Sequence, residues 1–351
     1  MSPKLHVLIL AGGSGERFWP YSRRARPKQL LKLFSDRTLL EETIARLGRD
    51  VPAERIFILT NREQEAAVRA VCSALPPENI VAEPAKRDTA PAVALGVGLI
   101  LRRDPQAVMA VLPADHLIKD AAAFRRDLAA GAETAAGSDA LLTIGIKPSW
   151  PCPGFGYIEQ GRRLSENPSV YEVKRFCEKP DPATAEGFLR QGNFRWNAGM
   201  FIWSIPAIMG ELTKHAPGLA RFVERMRTAG DLTSLLASDF PKLPKISVDY
   251  AVMEKAARVL ELEASFDWDD VGSWLAVANY LDSTDGNATN CPLTAQASAD
   301  NIVFSSGGKH VALAGVRDLI VIDTGDALLV CHRSEAENIK KLVPRIPEEL
   351  Q

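Results

Sequence analysis

Three glycines placed directly after an apolar run of strand length could bring backbone N–H groups close to an anion. Gly12, Gly13 and Gly15, with Ser14 between them, follow the run over residues 5–10. Because glycine lacks a Cβ, a phosphate group can approach such a backbone closely. The spacing fits neither G-x-G-x-x-G nor the Walker loop G-x-x-x-x-G-K-[ST]. From the glycines alone, a phosphate site and a plain tight turn are equal alternatives.

A run of cations follows the glycines and contains no acidic residue. Six Lys and Arg side chains lie between Arg17 and Lys32, Lys28 among them. Roughly twenty residues here show no regular pattern, and so long a loop in a compact domain is usually functional or disordered. Its aromatic residues and prolines argue against disorder. A solvated basic face is the alternative, but beside a glycine loop at the end of a strand the run favours a polyphosphate site.

Carboxylates at two further places could hold a divalent cation. Asp115 follows the apolar run over residues 108–112, and Asp270 lies beside Asp269 in an aromatic segment over residues 268–274. Mg²⁺ binds one or two protein carboxylates together with phosphate oxygens. An aspartate opposite a polyphosphate is therefore a candidate ligand. A helix N-cap is the alternative for Asp115, and the spacing does not establish that Asp115 and Asp270 meet.

The elements that would position these residues alternate between strand and helix. Helical stripes such as Leu40, Ile44 and Leu47 separate short apolar runs. This alternation predicts a doubly wound α/β fold whose mostly parallel sheet is covered on both faces. Such sheets bind ligands at the carboxyl ends of their strands, where the glycines and Asp115 would lie. The expected strands cover residues 5–10, 55–59, 79–82, 108–112 and 141–146.

The rest of the chain divides into a less regular middle part and a small β unit. Residues 147–285 are expected to complete the first domain, over residues 1–285, and a polar stretch over 282–300 is the expected linker. Residues 295–351 form the expected C-terminal β unit and final helix, with Ser334 and Glu337 as its capping box. The apolar runs of this unit cover residues 302–304, 311–314, 319–322 and 328–330.

Composition and charge argue against several classes of protein. The 351 residues are 46% hydrophobic and 25% charged, as in ordinary globular proteins of roughly two or three domains. A net charge of −2 gives no basic field, so we expect no nucleic acid and no membrane surface as partner. We find no targeting signal and no apolar stretch of membrane-spanning length. Five cysteines without a C-x-x-C pair predict a reduced, cytoplasmic protein.

A series of motifs resembles those of sugar-1-phosphate nucleotidylyltransferases. Gly-Gly-Ser-Gly-Glu-Arg-Phe-Trp-Pro over residues 12–20 and Pro-Lys-Gln over 27–29 are similar to the family's signature, and we call residues 12–32 the signature loop. The Phe-Trp-Pro and Pro-Lys-Gln variants resemble the branch that uses GTP and mannose-1-phosphate. Asp88 departs from the pattern, since the family usually has Asn there. Further similar motifs cover residues 83–92, 112–116, 154–158, 176–180, 196–201, 247–255 and 268–274.

The resemblance implies a fold, a reaction and a role for each candidate residue. The fold would be a Rossmann-like nucleotidyltransferase domain followed by a β-helix-like domain, and the cofactor Mg²⁺. The roles are as follows: the backbone of Gly12, Gly13, Ser14 and Gly15 holds the nucleotide, Arg17 and Lys28 stabilise the triphosphate and leaving pyrophosphate, Glu83 and Thr89 face the base, Asp115 and Asp270 hold Mg²⁺, Lys179 binds the sugar phosphate, and Gly156, Glu178 and Asn197 contact mannose hydroxyls.

Alternative functions stay open at this point. A sister enzyme with another nucleotide or sugar, such as a thymidylyl- or uridylyltransferase, differs in few contacts. A non-catalytic sugar-nucleotide-binding or regulatory subunit would be expected to lose some of the charged residues, all of which are present. A Rossmann dehydrogenase lacks its fingerprint. We also expect a homodimer formed through the C-terminal β unit, and no isomerase domain of the kind that longer relatives carry.

Overall fold

The computed structural model describes residues 3–351, in which nine strands form one large sheet. None of the helices in this range is both long and apolar enough to span a bilayer. The strands of the large sheet are β1 (Leu5–Leu10), β2 (Ile56–Asn61), β3 (Ile80–Glu83), β4 (Val108–Pro113), β5 (Leu141–Ile146), β6 (Tyr157–Glu166), β7 (Ser169–Cys177), β8 (Phe194–Ser204) and β9 (Val259–Glu263). The helices around it are α1 (Leu39–Leu47), α2 (Glu65–Val71), α3 (Thr89–Leu101), α4 (Ala121–Ala136), α5 (Pro182–Gln191), α6 (Ile205–His215), α7 (Pro217–Thr228) and α8 (Leu232–Asp239).

The large sheet has the strand order β3-β2-β1-β4-β8-β5-β9-β7-β6. β1 lies between β2 and β4 and pairs in parallel with both, so that Val7 is opposite Ile56 and Ala110. Within the described chain, β7 and β8 alone run against the other strands, as their antiparallel pairing with β9, β4 and β5 shows. The mostly parallel sheet predicted from the alternating pattern is confirmed.

Both faces of the sheet are covered, because successive residues of a strand point to opposite sides. Val7 and Ile9 pack in one core with α1 and α4, whereas Leu8 packs in the other with α3 and α7. All three side chains are fully buried. Since β1, β3 and β4 run in the same direction, the loops that follow them leave the sheet at one edge. The doubly wound arrangement is confirmed, and this edge carries the candidate site.

The C-terminal β unit and the segment over residues 282–294 before it form a five-stranded sheet, of order β10-β11-β13-β15-β16, and the pair β12-β14. Parallel partners such as Ile302 with Ile320 and Leu293 with Val311 lie one coil of the chain apart, which is typical of a β-helix. The four predicted apolar runs are confirmed as β13 to β16. The strands are β10 (Asp282–Thr284), β11 (Asn287–Thr289), β12 (Leu293–Gln296), β13 (Ile302–Ser305), β14 (Val311–Ala314), β15 (Leu319–Asp323) and β16 (Leu328–His332).

Two local predictions in this part of the chain are wrong. The stretch over residues 282–300 is not a linker, because β10, β11 and β12 form in it and a turn with positive φ at Asp285 and Gly286 closes a hairpin. Ser334 and Glu337 do not form a capping box. The backbone N–H of Ser334 instead donates to His332 Nδ1 at 3.2 Å, at the start of a 3-10 helix over Arg333–Asn338.

The C-terminal β unit packs against the signature loop. Phe18 of the loop contacts Trp274 of α9 (Trp274–Ala278), and Trp274 contacts Phe304 of β13, with ring centroids 5.5 and 5.0 Å apart. Ile339 of α10 (Ile339–Leu342) joins the same buried cluster, together with Trp19. The long basic loop is therefore ordered by side chains from the far end of the chain.

Candidate active site

The glycine segment offers its N–H groups while its carbonyl groups are occupied. Gln29 Nε2 donates to the carbonyl oxygens of Ala11 and Gly13 at 2.7 and 3.3 Å, and Gln64 Nε2 donates to Gly13 at 3.1 Å. Within residues 3–351, no hydrogen bond is donated by the backbone N–H groups from Gly12 to Gly15. A loop with engaged acceptors and free donors is suited to an anion.

Gly15 is needed because the signature loop folds back on itself. Its φ is +63°, and a Cβ at this position would lie 2.5 Å from the backbone nitrogen of Lys28. Ser22 Oγ donates to the Gly15 carbonyl oxygen at 2.8 Å and holds the turn. Close packing on Gly15 therefore fixes where Lys28 enters the site. Ser14 and Gly15 themselves do not line either of the two cavities described next.

The larger cavity, of about 500 Å³, opens at the carboxyl ends of β1, β3 and β4 and at the start of α3. Its walls include five of the residues expected to bind nucleotide or metal and four charged residues that were not expected. The first group is Gly12, Gly13, Glu83, Thr89 and Asp115, and the second is Lys86, Asp88, Lys245 and Asp249.

Glu83 and Thr89 lie where β3 ends and α3 begins. Burial raises the pKa of the Glu83 carboxyl to about 7. The Thr89 hydroxyl accepts a hydrogen bond from Val248 N at 2.9 Å, so it ties α3 to the segment that carries Asp249. Asp88 caps α3 through Thr89 N at 2.7 Å and has φ +69°, which residues other than glycine rarely adopt.

Lys28 brings the two predicted metal ligands together. Its side chain is 8% exposed, and its Nζ lies 3.0 Å from Asp115 Oδ2 and donates to the backbone carbonyl oxygen of Asp270. Burial opposes ionisation of Asp115, but the charges of Lys28 and His116 together with the hydrogen bond from Lys28 outweigh it and lower the pKa of that carboxyl. Burial raises the pKa of Asp270 to about 6, against the opposing effect of Lys28. The free protein thus holds both aspartates around one ammonium group.

The smaller cavity, of about 220 Å³, adjoins the larger one and shares Pro113, Gly199 and Asp249 with it. All of the residues expected to contact the sugar and its phosphate line this cavity, together with Asp270. They are Gly156, Glu178, Lys179 and Asn197. Phe155, Trp268 and His116 complete its wall.

The polar groups of the smaller cavity are held by one another. Asn197 Nδ2 donates to Asp249 Oδ1 at 2.9 Å, and Asn197 N donates to the Gly156 carbonyl oxygen at 2.8 Å. Lys179 Nζ forms an ion pair with Glu178 Oε1 at 2.9 Å, and that hydrogen bond raises the pKa of Lys179. The site therefore offers a fixed amide, three carboxylates and an ammonium group within a space the size of one sugar ring.

Asp249 and His116 are site residues that the sequence reasoning missed. Burial, and then the charge of Glu178, raise the pKa of Asp249 to about 6. Burial lowers the pKa of His116 to about 4, and its Nδ1 accepts a hydrogen bond from Trp268 Nε1 at 3.0 Å. Both lie in motifs that carry the family resemblance, which was the available signal, but no spacing singled them out.

Arg17 lies outside both cavities. Its Nε is 2.9 Å from Glu337 Oε2 in the C-terminal β unit. Four of the expected site residues line neither cavity, namely Arg17, Ser14, Gly15 and Lys28. The other ten lie in the cavity walls.

A doubly wound sheet with a glycine loop and two adjoining cavities at its carboxyl edge defines a nucleotidyltransferase. Residues 6–284 match the family model described as nucleotidyl transferase, and residues 296–346 match that of the MannoseP isomerase/GMP-like beta-helix domain. The first match covers most of the chain, so the protein belongs to the nucleotidyl transferase family.

Individual relatives are similar over nearly the whole chain. AlgA, an alginate biosynthesis protein of Pseudomonas aeruginosa, is 36% identical over 96% of this chain and 71% of its own length. A mannose-1-phosphate guanylyltransferase of Klebsiella pneumoniae is 37% identical over 96% of this chain and 72% of its own. The crystal structure of a mannose-1-phosphate geranyltransferase from Thermus thermophilus has a TM-score of 0.87 at 34% identity, covering 97% of this chain and 99% of that one. The family uses a nucleoside triphosphate and a sugar-1-phosphate as substrates.

Proposed function

We propose that the protein transfers GMP from GTP to mannose-1-phosphate, giving GDP-mannose and pyrophosphate. The observation that carries the proposal is the meeting of two cavities of unequal size at the edge where Asp115 and Asp270 lie. The larger cavity has the volume and the backbone donors for a nucleotide. The smaller cavity has the volume and the hydrogen-bonding groups for one sugar phosphate. A phosphorus atom at their junction would be reached from both sides.

The reaction needs positioning and charge neutralisation more than covalent help. An oxygen of mannose-1-phosphate attacks the α-phosphorus of GTP, the bond to the β-phosphate oxygen breaks, and that oxygen leaves with pyrophosphate. The free N–H groups from Gly12 to Gly15 bind the triphosphate, and Arg17 and Lys28 stabilise it and the leaving pyrophosphate. Lys179 binds the phosphate of the sugar.

Selection of guanine rests on Glu83. With a pKa of about 7, Glu83 is partly ionised at neutral pH. In that form its carboxylate accepts two hydrogen bonds from the N1–H and the 2-amino group of guanine, whereas the corresponding edge of adenine offers an acceptor at N1. Glu83 lies in the wall of the larger cavity, and Thr89 lies beside it at the start of α3. In the smaller cavity, Glu178 and Asn197 bind mannose hydroxyls next to Gly156, where a side chain would collide with the Glu178 carboxylate.

The residues at the junction fit a magnesium ion. Lys28 contacts the carboxylate of Asp115 and the backbone carbonyl oxygen of Asp270, and two carboxylates with phosphate oxygens and water are a usual ligand set for Mg²⁺. No cluster of three metal-binding side chains occurs within residues 3–351, so phosphate and water would supply the other ligands. Bound there, the ion would neutralise charge on the phosphate oxygens.

We further propose a cytoplasmic homodimer. The five cysteines form no disulfide, and the edge strand β16 exposes Leu328 and Val330. Neither nucleic acid nor a membrane surface is proposed as a partner, in keeping with the net charge of −2. Residues 1–285 are proposed as the catalytic domain and 295–351 as the C-terminal β unit, which the matches over 6–284 and 296–346 support.

The test is pyrophosphate release with Mg²⁺ over a matrix of GTP, ATP, UTP and dTTP against mannose-1-phosphate and glucose-1-phosphate. GTP with mannose-1-phosphate should give the highest kcat/KM, and pyrophosphate with GDP-mannose should regenerate GTP. Faster turnover with UTP or dTTP would assign the protein to a sister enzyme. No turnover with any pair would support a sugar-nucleotide-binding subunit. The Asp270→Asn variant, purified in the same way, controls for contaminating activity.

A further inference from the structure

The C-terminal β unit contacts the signature loop at polar as well as apolar groups. Trp19 Nε1 donates to the carbonyl oxygen of Leu350 at 2.9 Å, and Arg23 Nη2 donates to both carboxylate oxygens of Asp326 at 3.1 Å. The indole and the guanidinium that form these bonds lie in the segment between Arg17 and Lys28. The unit therefore holds the part of the loop that carries the cations.

The C-terminal β unit also contacts Arg17 of the signature loop. Its Nε lies 2.9 Å from Glu337 Oε2, and the contact is an ion pair rather than an aligned hydrogen bond. Within the described chain, the two terminal Nη groups of Arg17 donate no hydrogen bond, so they are left for another anion. Arg17 follows Gly15 by two residues, and Gly15 packs on the backbone of Lys28, whose ammonium group contacts Asp115.

The ion pair is open to solvent, since the Arg17 and Glu337 side chains are 40% and 59% exposed. Exposed pairs contribute little to stability. Glu337 is thus too weak a partner to keep Arg17 away from a highly charged triphosphate. It can, however, restrict the orientations of a long side chain, and such restriction strengthens binding because less entropy is lost on association.

We propose that Glu337 is a positioning residue for Arg17: the C-terminal β unit of the same chain holds one edge of the guanidinium so that its terminal nitrogens face the triphosphate. The inference rests on the proposed function, in which Arg17 binds the triphosphate. It gives the C-terminal β unit a part in nucleotide binding that does not depend on dimerisation.

The experiment compares Glu337→Gln with Glu335→Gln, its matched control on the same 3-10 helix. Glu335 accepts a hydrogen bond from Nδ2 of its neighbour Asn338 at 3.0 Å. Glu337→Gln should raise the KM and the Kd for GTP roughly three- to tenfold, as expected for one long side chain that must now be ordered on binding. The KM for mannose-1-phosphate and the thermal midpoint should not change. Glu335→Gln should behave as wild type, and Glu337→Asp should recover part of the lost affinity.

Glu337→Gln in an Arg17→Ala background tests whether Glu337 affects GTP binding through Arg17. If Glu337 acts through Arg17, Glu337→Gln should have no further effect there, as groups that act as a unit are non-additive. Equal losses in both backgrounds, an unchanged Kd for GTP, or tighter GTP binding by Glu337→Gln would each overturn the inference. Wild-type protein that does not turn over GTP with mannose-1-phosphate would instead contradict the proposed function.

Discussion

Lys28 is the residue that contacts both of the proposed metal ligands, Asp115 and Asp270. Its ammonium group is almost entirely buried and contacts Asp115 through the carboxylate but Asp270 through the backbone carbonyl. Removing one member of a buried ion pair leaves an unpaired charge and is costly. The two aspartates are therefore not equivalent: loss of the Asp115 charge disturbs Lys28, whereas loss of the Asp270 carboxylate leaves its contact in place.

We expect Asp115→Asn and Asp270→Asn each to lower kcat by at least about a hundredfold, since one well-placed electrostatic group is worth roughly 10²–10³ in rate. Because both would act through one Mg²⁺, the double variant should be little slower than the slower single variant. Asp115→Asn should also lower the free energy of unfolding, and Asp270→Asn should not. Pyrophosphate release and thermal unfolding measure these effects.

The control for this pair is Asp120→Asn. Asp120 caps α4 by accepting from Ala123 N at 2.9 Å, and asparagine is an equally good N-cap, so rate and stability should both be unchanged. Losses that multiply in the double variant would mean that Asp115 and Asp270 act separately and would contradict the shared ion.

Site residues were predictable where a local motif marked them. Asp115 and the glycines follow apolar strands, and the parallel sheet places strand ends together. Lys86, Lys245 and Asp249 also line the larger cavity. They lie far from the glycine loop in the sequence, so no local motif connects them with it. Their approach is a product of tertiary packing. The contact between Lys28 and Asp115 joins positions far apart in sequence, and no local pattern encodes it.

At the scale of the element, the signature loop is a folded structure rather than a flexible connection. Its two halves meet where Lys28 packs on Gly15, and Ser22 closes the turn between them. Gly13, two residues earlier, has no atom within 4 Å of the position that a Cβ would take. Neighbouring glycines in one motif therefore serve different purposes, the first leaving space for a ligand and the second allowing the backbone to approach itself.

We expect Gly15→Ala to lower the free energy of unfolding by about 1–3 kcal/mol, the usual cost of a residue held at an unfavourable φ. Displacement of Lys28 should lower kcat as well. The free energy of unfolding of Gly13→Ala should lie within about 0.5 kcal/mol of the wild-type value, as is usual for substitutions that make no new steric contact. Urea unfolding of the two variants measures the difference. Equal destabilisation by both would show that the loop does not pack as described.

The strands β1 to β5 and the helices α1 to α3 could be predicted because their apolar residues repeat with the period of a buried strand or an amphipathic helix, whereas β6 to β9 were not predicted. The strands between residues 282 and 296 could not, because they are short and polar and are stabilised by pairing with distant strands. The predicted capping box does not form because other partners take the place of its two side chains. His332 is nearer to the start of its helix, and Glu337 pairs with Arg17 from the opposite end of the chain.

At the scale of the whole molecule, the C-terminal β unit has one face on the signature loop and one free edge. Leu329 of β16 is buried, whereas its neighbours Leu328 and Val330 are 60% and 56% exposed. An edge strand with outward apolar side chains is suited to pairing with another chain. The inner face packs on the signature loop, and the outer edge is the proposed dimer surface.

We expect wild-type protein to sediment as a dimer at micromolar concentration, and the double variant Leu328→Asp/Val330→Asp to sediment as a monomer. Two charges at a symmetric edge would be repeated in both copies and would repel one another. Leu164→Asp, at an exposed apolar position of the β6–β7 hairpin, is the control and should stay dimeric. A monomeric wild type, or a dimer that survives the double substitution, would contradict this assembly.

The hydrogen bond from Trp19 to Leu350 joins residues 331 positions apart. During synthesis it can form only after Leu350 has been added to the chain. Ribosomes add roughly 5–20 residues per second, so about 15–70 s pass between the appearance of the indole and that of its carbonyl partner. The sheet can pair its parallel strands well before then. A nascent chain therefore carries the strands that form both cavities before it carries the residues that hold its signature loop.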